Sequence, residues 1–258
     1  HEHDRRITII VWLLDPSVSL WLLLFVAFAA VLYSSVGHGG ASGYLAAMAL
    51  FGLEPAMMKP AALTMNIFVT VLVLWRISGA GLFNWRLFMP FALASVPMAF
   101  IGGAYTINST AYKVMVGLAL LLAMWRLLWA GNDGDRIQAP ALWVALPVGA
   151  VLGLVSGLTG VGGGIFLSPL LLLFHWTSMR GSVAIAAAFI LLNSIAGLAG
   201  YASTATQWPA GIPVLVVTAI LGGLIGAELN ARRLAPIHLR KVLAVVLAVA
   251  GAKMIATA

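Results

Sequence analysis

The chain has 258 residues, 62% of them hydrophobic and 8% charged, whereas a soluble domain carries about 25% charged residues; its exterior must therefore meet lipid. The net charge of +7 comes from Lys and Arg placed singly or in pairs at the ends of apolar runs. That placement sets membrane topology and does not form a phosphate-binding stripe, so nucleic acid is excluded as a partner and the lipid bilayer is expected as one. There is no cysteine, which excludes disulfides, thiolate metal ligands and cysteine nucleophiles.

Residues 1–16 read as an N-terminal tail with one short apolar patch at 7–14. From Pro16 to Leu53 no Asp, Glu, Lys or Arg occurs, and the same holds from Ile137 to Met179 and from Gly181 to Ala227. Each stretch exceeds the roughly 20 residues of one crossing and should hold two helices, or a helix and a re-entrant piece. Shorter apolar runs lie near 60–75, 87–105, 113–130 and 239–256. Trp75, Trp85, Trp125, Trp129, Trp143, Trp176 and Trp208 stand near the ends of these runs, as an aromatic belt does.

An offset of 123 residues maps the first half of the chain onto the second. Gly37, Gly39 and Gly40 fall on Gly160, Gly162 and Gly163; Leu50-Phe51 on Leu173-Phe174; Trp85 on Trp208; Pro90 on Pro213; Gly103-Ala104 on Gly226-Ala227. Chance aligns apolar residues readily, but not Gly, Trp and Pro at one fixed spacing. The predicted architecture is an all-α polytopic membrane protein of two tandem repeats, 17–130 and 141–258, joined by a loop at 131–140. Each repeat has four to five transmembrane segments with Gly-interrupted helices, and tandem membrane repeats are a transporter signature.

Orientation follows from the crossing number. Five spans per repeat give inverted copies. Arg76, Arg86, Arg126, Arg136, Arg180, Arg232, Arg233, Arg240 and Lys241 then share one side, against Arg5, Arg6, Lys59, Lys113 and Lys253. Four spans per repeat divide the basic residues evenly. The positive-inside rule favours the inverted arrangement.

Two glycine clusters interrupt long apolar stretches: Gly37-His38-Gly39-Gly40-Ala41-Ser42-Gly43 and Gly160-Val161-Gly162-Gly163-Gly164. Glycine runs break helices, and broken backbone at membrane depth is tolerated where it is buried in protein or lines a cavity. A helix that restarts there aims free N–H groups and its positive dipole end at the cavity, which suits an anion. Close helix packing is the plainer use of such glycines. Around the clusters stand Ser34, Ser35, Ser156, Thr159 and Ser168. Asn66 and Thr70 lie one turn apart, and Asn193, beside Ser194, occupies the repeat position of Thr70. The expected substrate-binding set is Gly37, His38, Gly39, Gly40, Ser42, Asn66, Thr70, Gly160, Gly162, Gly163, Gly164 and Asn193. His38, ionisable in mid-stretch, is the candidate for a coupling proton; a neighbouring carbonyl is its alternative partner. Glu228 and Arg232 stand at i, i+4 spacing and are expected to pair, while Arg76 and Arg86 read as snorkelling anchors. His175 and Trp176 read as interface residues.

The paired clusters, and Gly-Val-Gly-Gly-Gly-Ile-Phe-Leu-Ser-Pro-Leu-Leu-Leu-Leu at 160–173 above all, resemble the TauE/SafE family of sulfite and organosulfonate exporters. The resemblance runs from about Val18 to Ile255. It departs at the first cluster, where His38 and Ala41-Ser42 stand in place of Val161 and Gly164-Ile165. It implies secondary transport of a small sulfur anion, such as sulfite, sulfoacetate or a taurine-derived sulfonate, across the bacterial inner membrane, with a homodimer as a further expectation. Two other classes compete. Gly40-Ala41-Ser42-Gly43 spells the Gly-x-Ser-Gly of rhomboid intramembrane proteases, with Ser42 as nucleophile, but His175 and His238 are poorly placed as its base. An anion channel or a membrane scaffold is the other. No Gly-Lys-[Ser/Thr] follows either glycine cluster, and no cofactor motif is found; the chain reads as a non-enzyme.

Overall fold

The computed structural model describes residues 16–35, 37, 39–128, 138–205, 208–209, 211–231 and 237–258. Among these residues the long elements are ten α-helices: α1 (Pro16–Ser35), α2 (Ala41–Leu50), α3 (Pro55–Ile77), α4 (Trp85–Ala104), α5 (Ser109–Leu128), α6 (Leu142–Thr159), α7 (Gly164–Leu173), α8 (Met179–Thr204), α9 (Ile212–Ala231) and α10 (Ile237–Ala256). Five of them (α3, α4, α6, α8 and the 212–229 part of α9) are long and apolar enough to cross a membrane. Helices α1, α5 and α10 have 20 residues each, about 30 Å at 1.5 Å per residue. Leu93, Val217, Leu221, Val245 and Trp143 are exposed, as a lipid-facing exterior requires.

Two helices are too short to cross. Helices α2 and α7 have ten residues each, about 15 Å, half of the hydrocarbon thickness. Their bounds differ by the 123-residue repeat offset, since 41–50 maps onto 164–173. An all-apolar helix is a buried helix, and α2 is buried from Ala41 through Ala49. One apolar cluster wraps α2, setting Tyr44, Leu45 and Met48 among Val26, Met58, Leu120 and Leu247. A second wraps α7, setting Leu167 and Leu171 among Phe91, Ile185 and Phe189.

Close contacts give the helix directions. Gly149, Gly153 and Gly157 of α6 face Phe91, Ser95 and Ala99 of α4 in ascending order, so α4 and α6 run parallel. Gly222 and Gly226 of α9 face Ala27 and Val31 of α1, a second parallel pair. Asn66 meets Ser194 while Leu63 meets Gly197, so α3 and α8 run antiparallel. Gly117 meets Ile255 while Leu121 meets Gly251, so α5 and α10 do too. Helix neighbours repeat the pattern under exchange of halves: α4 packs on α6 and α8, and α9 packs on α1 and α3. The homologous pairs α3/α8 and α5/α10 thus run in opposite directions, the relation that inverted copies have.

The same directions sort the ends of the helices. Trp75, Trp85, Trp125 and Trp143 fall on one side, with Arg76, Arg86, Arg180 and Lys241; Lys59, Lys113 and Lys253 fall on the other. On the arginine-rich side, Arg76 of α3 meets Glu228 of α9 at 3.0 Å and lies 5.0 Å from the ring of Trp75. Arg76 therefore has a defined partner and is more than a snorkelling anchor. The expected partner of Glu228, Arg232, lies outside the described residues. Both groups of the Arg76–Glu228 pair are more than a third exposed, and such pairs contribute about 0–1 kcal/mol. Glu228→Gln is expected to lower the melting temperature of the detergent-purified protein by no more than a few degrees, and less in high salt.

Lys59, which sequence places among the orienting charges, is buried. Its Nζ donates to the carbonyls of Gly102 (3.0 Å), Gly103 (2.8 Å) and Tyr105 (3.1 Å). These close the C-terminus of α4, where backbone carbonyls lack intrahelical donors and a cation suits the dipole.

Candidate functional site: two helix breaks that face each other

Each half-helix begins on a glycine in the left-handed region. Gly40 has φ 93° and caps α2; Gly163 has φ 77° and caps α7; neither N-terminus receives a side-chain cap. A glycine N-cap without a side-chain oxygen leaves the first-turn N–H groups without the usual acceptor, and the positive ends of both dipoles sit inside the protein.

Both breaks abut the middles of α3 and α8. A Cβ on Gly39 would lie 2.8 Å from Asn66 Oδ1 and from Thr70 Cγ2, and 2.9 Å from Ile190 Cγ2. A Cβ on Gly162, whose φ is 85°, would lie 2.7 Å from Asn66 Nδ2, 2.8 Å from Ile190 Cγ2 and 3.2 Å from Ser194 Oγ. Asn66 is therefore touched by both breaks, from opposite halves of the chain. Its Nδ2 donates to Val161 O and to Ser194 Oγ, each at 3.4 Å.

The expected residues divide into three groups. Gly39, Gly162, Asn66 and Thr70 converge, joined by Ser194 and Ile190. Gly40 and Gly163 line the helix starts, Gly40 against the Tyr44 ring and Gly163 against Phe189 and Ser156. The rest serve the backbone or neighbouring packing. Gly37 N–H donates to Ser34 O in a turn. Gly160, at φ 83°, ends α6 with its N–H on Ser156 O at 2.8 Å and lies against the Lys59 backbone, not against Asn66. Gly164 packs on Ala186 and Ile190 of α8. Ser42 Oγ donates to the Tyr33 hydroxyl. His38 lies outside the described residues.

The repeat relation reaches into hydrogen bonding. Thr70 Oγ1 donates to Asn66 O at 2.6 Å, and Asn193 Nδ2 donates to Phe189 O at 2.9 Å. Positions 70 and 66 map onto 193 and 189, so both repeats back-bond the same carbonyl one turn earlier. Asn193 differs from Thr70 in having an amide oxygen that lacks a partner among the described residues.

Five buried side-chain atoms lack a partner among the described residues: Ser34 Oγ, Tyr44 OH, Asn66 Oδ1, Ser156 Oγ and Asn193 Oδ1. All five residues lie in α1, α2, α3, α6 and α8, the helices that surround or form the breaks. Leaving a polar atom buried and unpaired costs about 1–3 kcal/mol each. Tyr44 is absent from the sequence-derived set. Its signal is its i+4 distance from Gly40, which folds a side chain back over the first turn.

The all-α build, the apolar exterior and a buried helix break in each half define a polytopic membrane protein of the transporter class. The chain matches the family described as Sulfite exporter TauE/SafE over residues 22–254, and it belongs to that family. It is 34% identical over 244 residues to Probable membrane transporter protein y4hK of Sinorhizobium fredii, covering 93% of this chain and 98% of that protein. It is 29% identical over 259 residues to Probable membrane transporter protein MJ0441 of Methanocaldococcus jannaschii, covering 91% and 94%. No solved structure matches the chain.

Proposed function

We propose that the protein is a secondary transporter that exports small sulfur-containing anions, sulfite or an organosulfonate, across the bacterial inner membrane by alternating access. The observation that carries this reading is the convergence of the two helix breaks on Asn66, whose Oδ1 lacks a partner among the described residues, with the Tyr44 and Ser156 hydroxyls beside the two uncapped helix starts. Helix N-termini bind anions through aligned N–H groups and the dipole, and broken helices of this kind form substrate sites at the midplane of transporters. The family description supports sulfur as the substrate element.

The repeats 17–130 and 141–258 act here as inverted copies, consistent with the antiparallel pairs α3/α8 and α5/α10. The arginine-rich side is then cytoplasmic by the positive-inside rule. Alternating access then moves the group of α4, α6 and α8 against the group of α9, α1 and α3, while Asn66 stays near the pivot. His38, next to Gly39 in sequence, is the residue proposed to carry a coupling proton. The protease alternative is disfavoured because the Ser42 hydroxyl is committed to Tyr33.

The test is thermal stabilisation of the detergent-purified protein against sulfite, sulfoacetate, taurine, sulfate, acetate and chloride. Binding to the folded state adds about 2.7 kcal/mol at 100 times Kd, so a substrate raises the melting temperature selectively. A rise with sulfite or a sulfonate, and none with acetate or chloride, is the expected result. A flat response to every sulfur compound contradicts the assignment.

A further inference from the structure

Resting on the anion site proposed above, we infer that the transported anion must carry a hydrogen-bond donor of its own, an O–H or N–H that Asn66 Oδ1 accepts. A site built only for a bare anion should leave donors unpaired. The amide atom that lacks a partner among the described residues at this junction, Asn66 Oδ1, is an acceptor, as is Asn193 Oδ1 on α8.

Their identity as oxygens is fixed by the partners of the opposite amide atoms. Asn193 Nδ2 donates to the Phe189 carbonyl at 2.9 Å, and Asn66 Nδ2 faces the Val161 carbonyl. Turning either amide over would set oxygen against a carbonyl oxygen, which has no proton to share. Asn66 is fully buried, and its Oδ1 lies 2.8 Å from where a Gly39 Cβ would stand. The oxygen is thus aimed at the first helix break.

A metal cation would also satisfy such oxygens, but the electrostatics oppose it. Two helix N-termini bring partial positive charge to the same place. The described carboxylates, Glu54 and Glu228, stand at the start of α3 and near the end of α9, away from the breaks. The hydroxyls of Tyr44 and Ser156, beside Gly40 and Gly163 at the helix starts, complete the picture, because each rotates to donate to an anionic oxygen. The site therefore offers donors to the acidic end of a guest and an acceptor to its other part. Hydrogensulfite fits this pattern, as do hydroxy- and ammonio-sulfonates. Fully deprotonated sulfite and a plain alkylsulfonate leave Asn66 Oδ1 unpaired and facing further oxygen.

The experiment compares 2-hydroxyethanesulfonate with ethanesulfonate, which lacks only the hydroxyl, by ligand-dependent melting of the purified protein. The hydroxylated ligand should bind about 10- to 100-fold more tightly, since omitting one donor strands a buried acceptor. Sulfite affinity should also rise as pH falls through the range in which hydrogensulfite replaces sulfite. In Asn66→Leu the preference between the two sulfonates should disappear, whatever affinity remains for either. Equal affinities in the wild-type protein overturn the donor requirement and leave the anion site standing, and that comparison requires no variant to fold. If neither sulfonate nor sulfite raises the melting temperature at any pH, the anion site and the donor requirement fall together.

Discussion

Gly162→Ala should abolish transport and lower the melting temperature sharply, whereas Gly52→Ala should do neither to the same degree. Both glycines hold positive φ, 85° at Gly162 and 73° at Gly52, and an L-residue in that region costs about 1–2 kcal/mol. The surroundings differ. A Cβ at Gly52 meets nothing within 4 Å, while at Gly162 it meets Asn66 Nδ2 at 2.7 Å and Ile190 Cγ2 at 2.8 Å. The extra methyl must push α3 or α8 aside, an overpacking cost of about 1–3 kcal/mol more. It would also displace the asparagine on which both breaks converge. The comparison separates backbone strain, common to both variants, from damage to the site. Paired melting curves and flux assays check it: a Gly162→Ala protein with the stability and flux of Gly52→Ala would show that the second break is not a packed junction.

Lys59→Met should be the most destabilising single change of a cation in the described structure. Three carbonyls at the end of α4 share the Lys59 ammonium, and hydrogen bonds to charged groups contribute about 1.5–3 kcal/mol each before overlap. Because the three share one ammonium they do not add, so a loss of about 3 kcal/mol is expected. Lys113 is the control. Its Nζ also reaches a carbonyl, Thr257 O at 2.6 Å, but in an exposed setting, and Lys113→Met should cost no more than about 1 kcal/mol. Melting temperatures of the two variants in detergent give the comparison, and equal shifts would refute a special role for the buried lysine.

The membrane class, the helix breaks and the repeat were legible because each rests on a pattern that chemistry imposes locally. Charge-free stretches mark lipid-facing helices, glycine runs mark breaks, and the 123-residue offset reproduces the bounds of α2 and α7 residue for residue. Among the described residues, Arg76, Arg86, Arg180 and Lys241 fall on one side and Lys59, Lys113 and Lys253 on the other, the division expected for five spans per repeat. The half-length of α2 and α7 was less visible, since a charge-free run of nearly 40 residues does not say where one helix turns back.

The junction of the two breaks was legible in part. Asn66 and Thr70 were found from their spacing and polarity, and Gly39 and Gly162 from the clusters. The different duties of Gly160 and Gly164 were not, because a glycine that ends a helix, one that packs on a neighbouring helix and one that abuts Asn66 look alike in sequence. Lys59 read as a surface charge since its acceptors, the carbonyls of 102–105, are backbone atoms more than 40 residues away. Glu228 pairs with Arg76, on a helix that only the fold brings near; its expected partner Arg232 lies outside the described residues. Tyr44 was hidden among apolar neighbours in a helix buried on all sides.

The most direct test of the central claim is exchange flux in proteoliposomes: entry of labelled sulfite or taurine into vesicles loaded with the unlabelled compound, for wild type and for Asn66→Leu verified as folded by its melting curve. Exchange well above that of protein-free vesicles is expected for at least one of these compounds, with loss of at least tenfold of it in Asn66→Leu. Wild-type flux that matches protein-free vesicles for both, or undiminished flux in the folded variant, would contradict the claim.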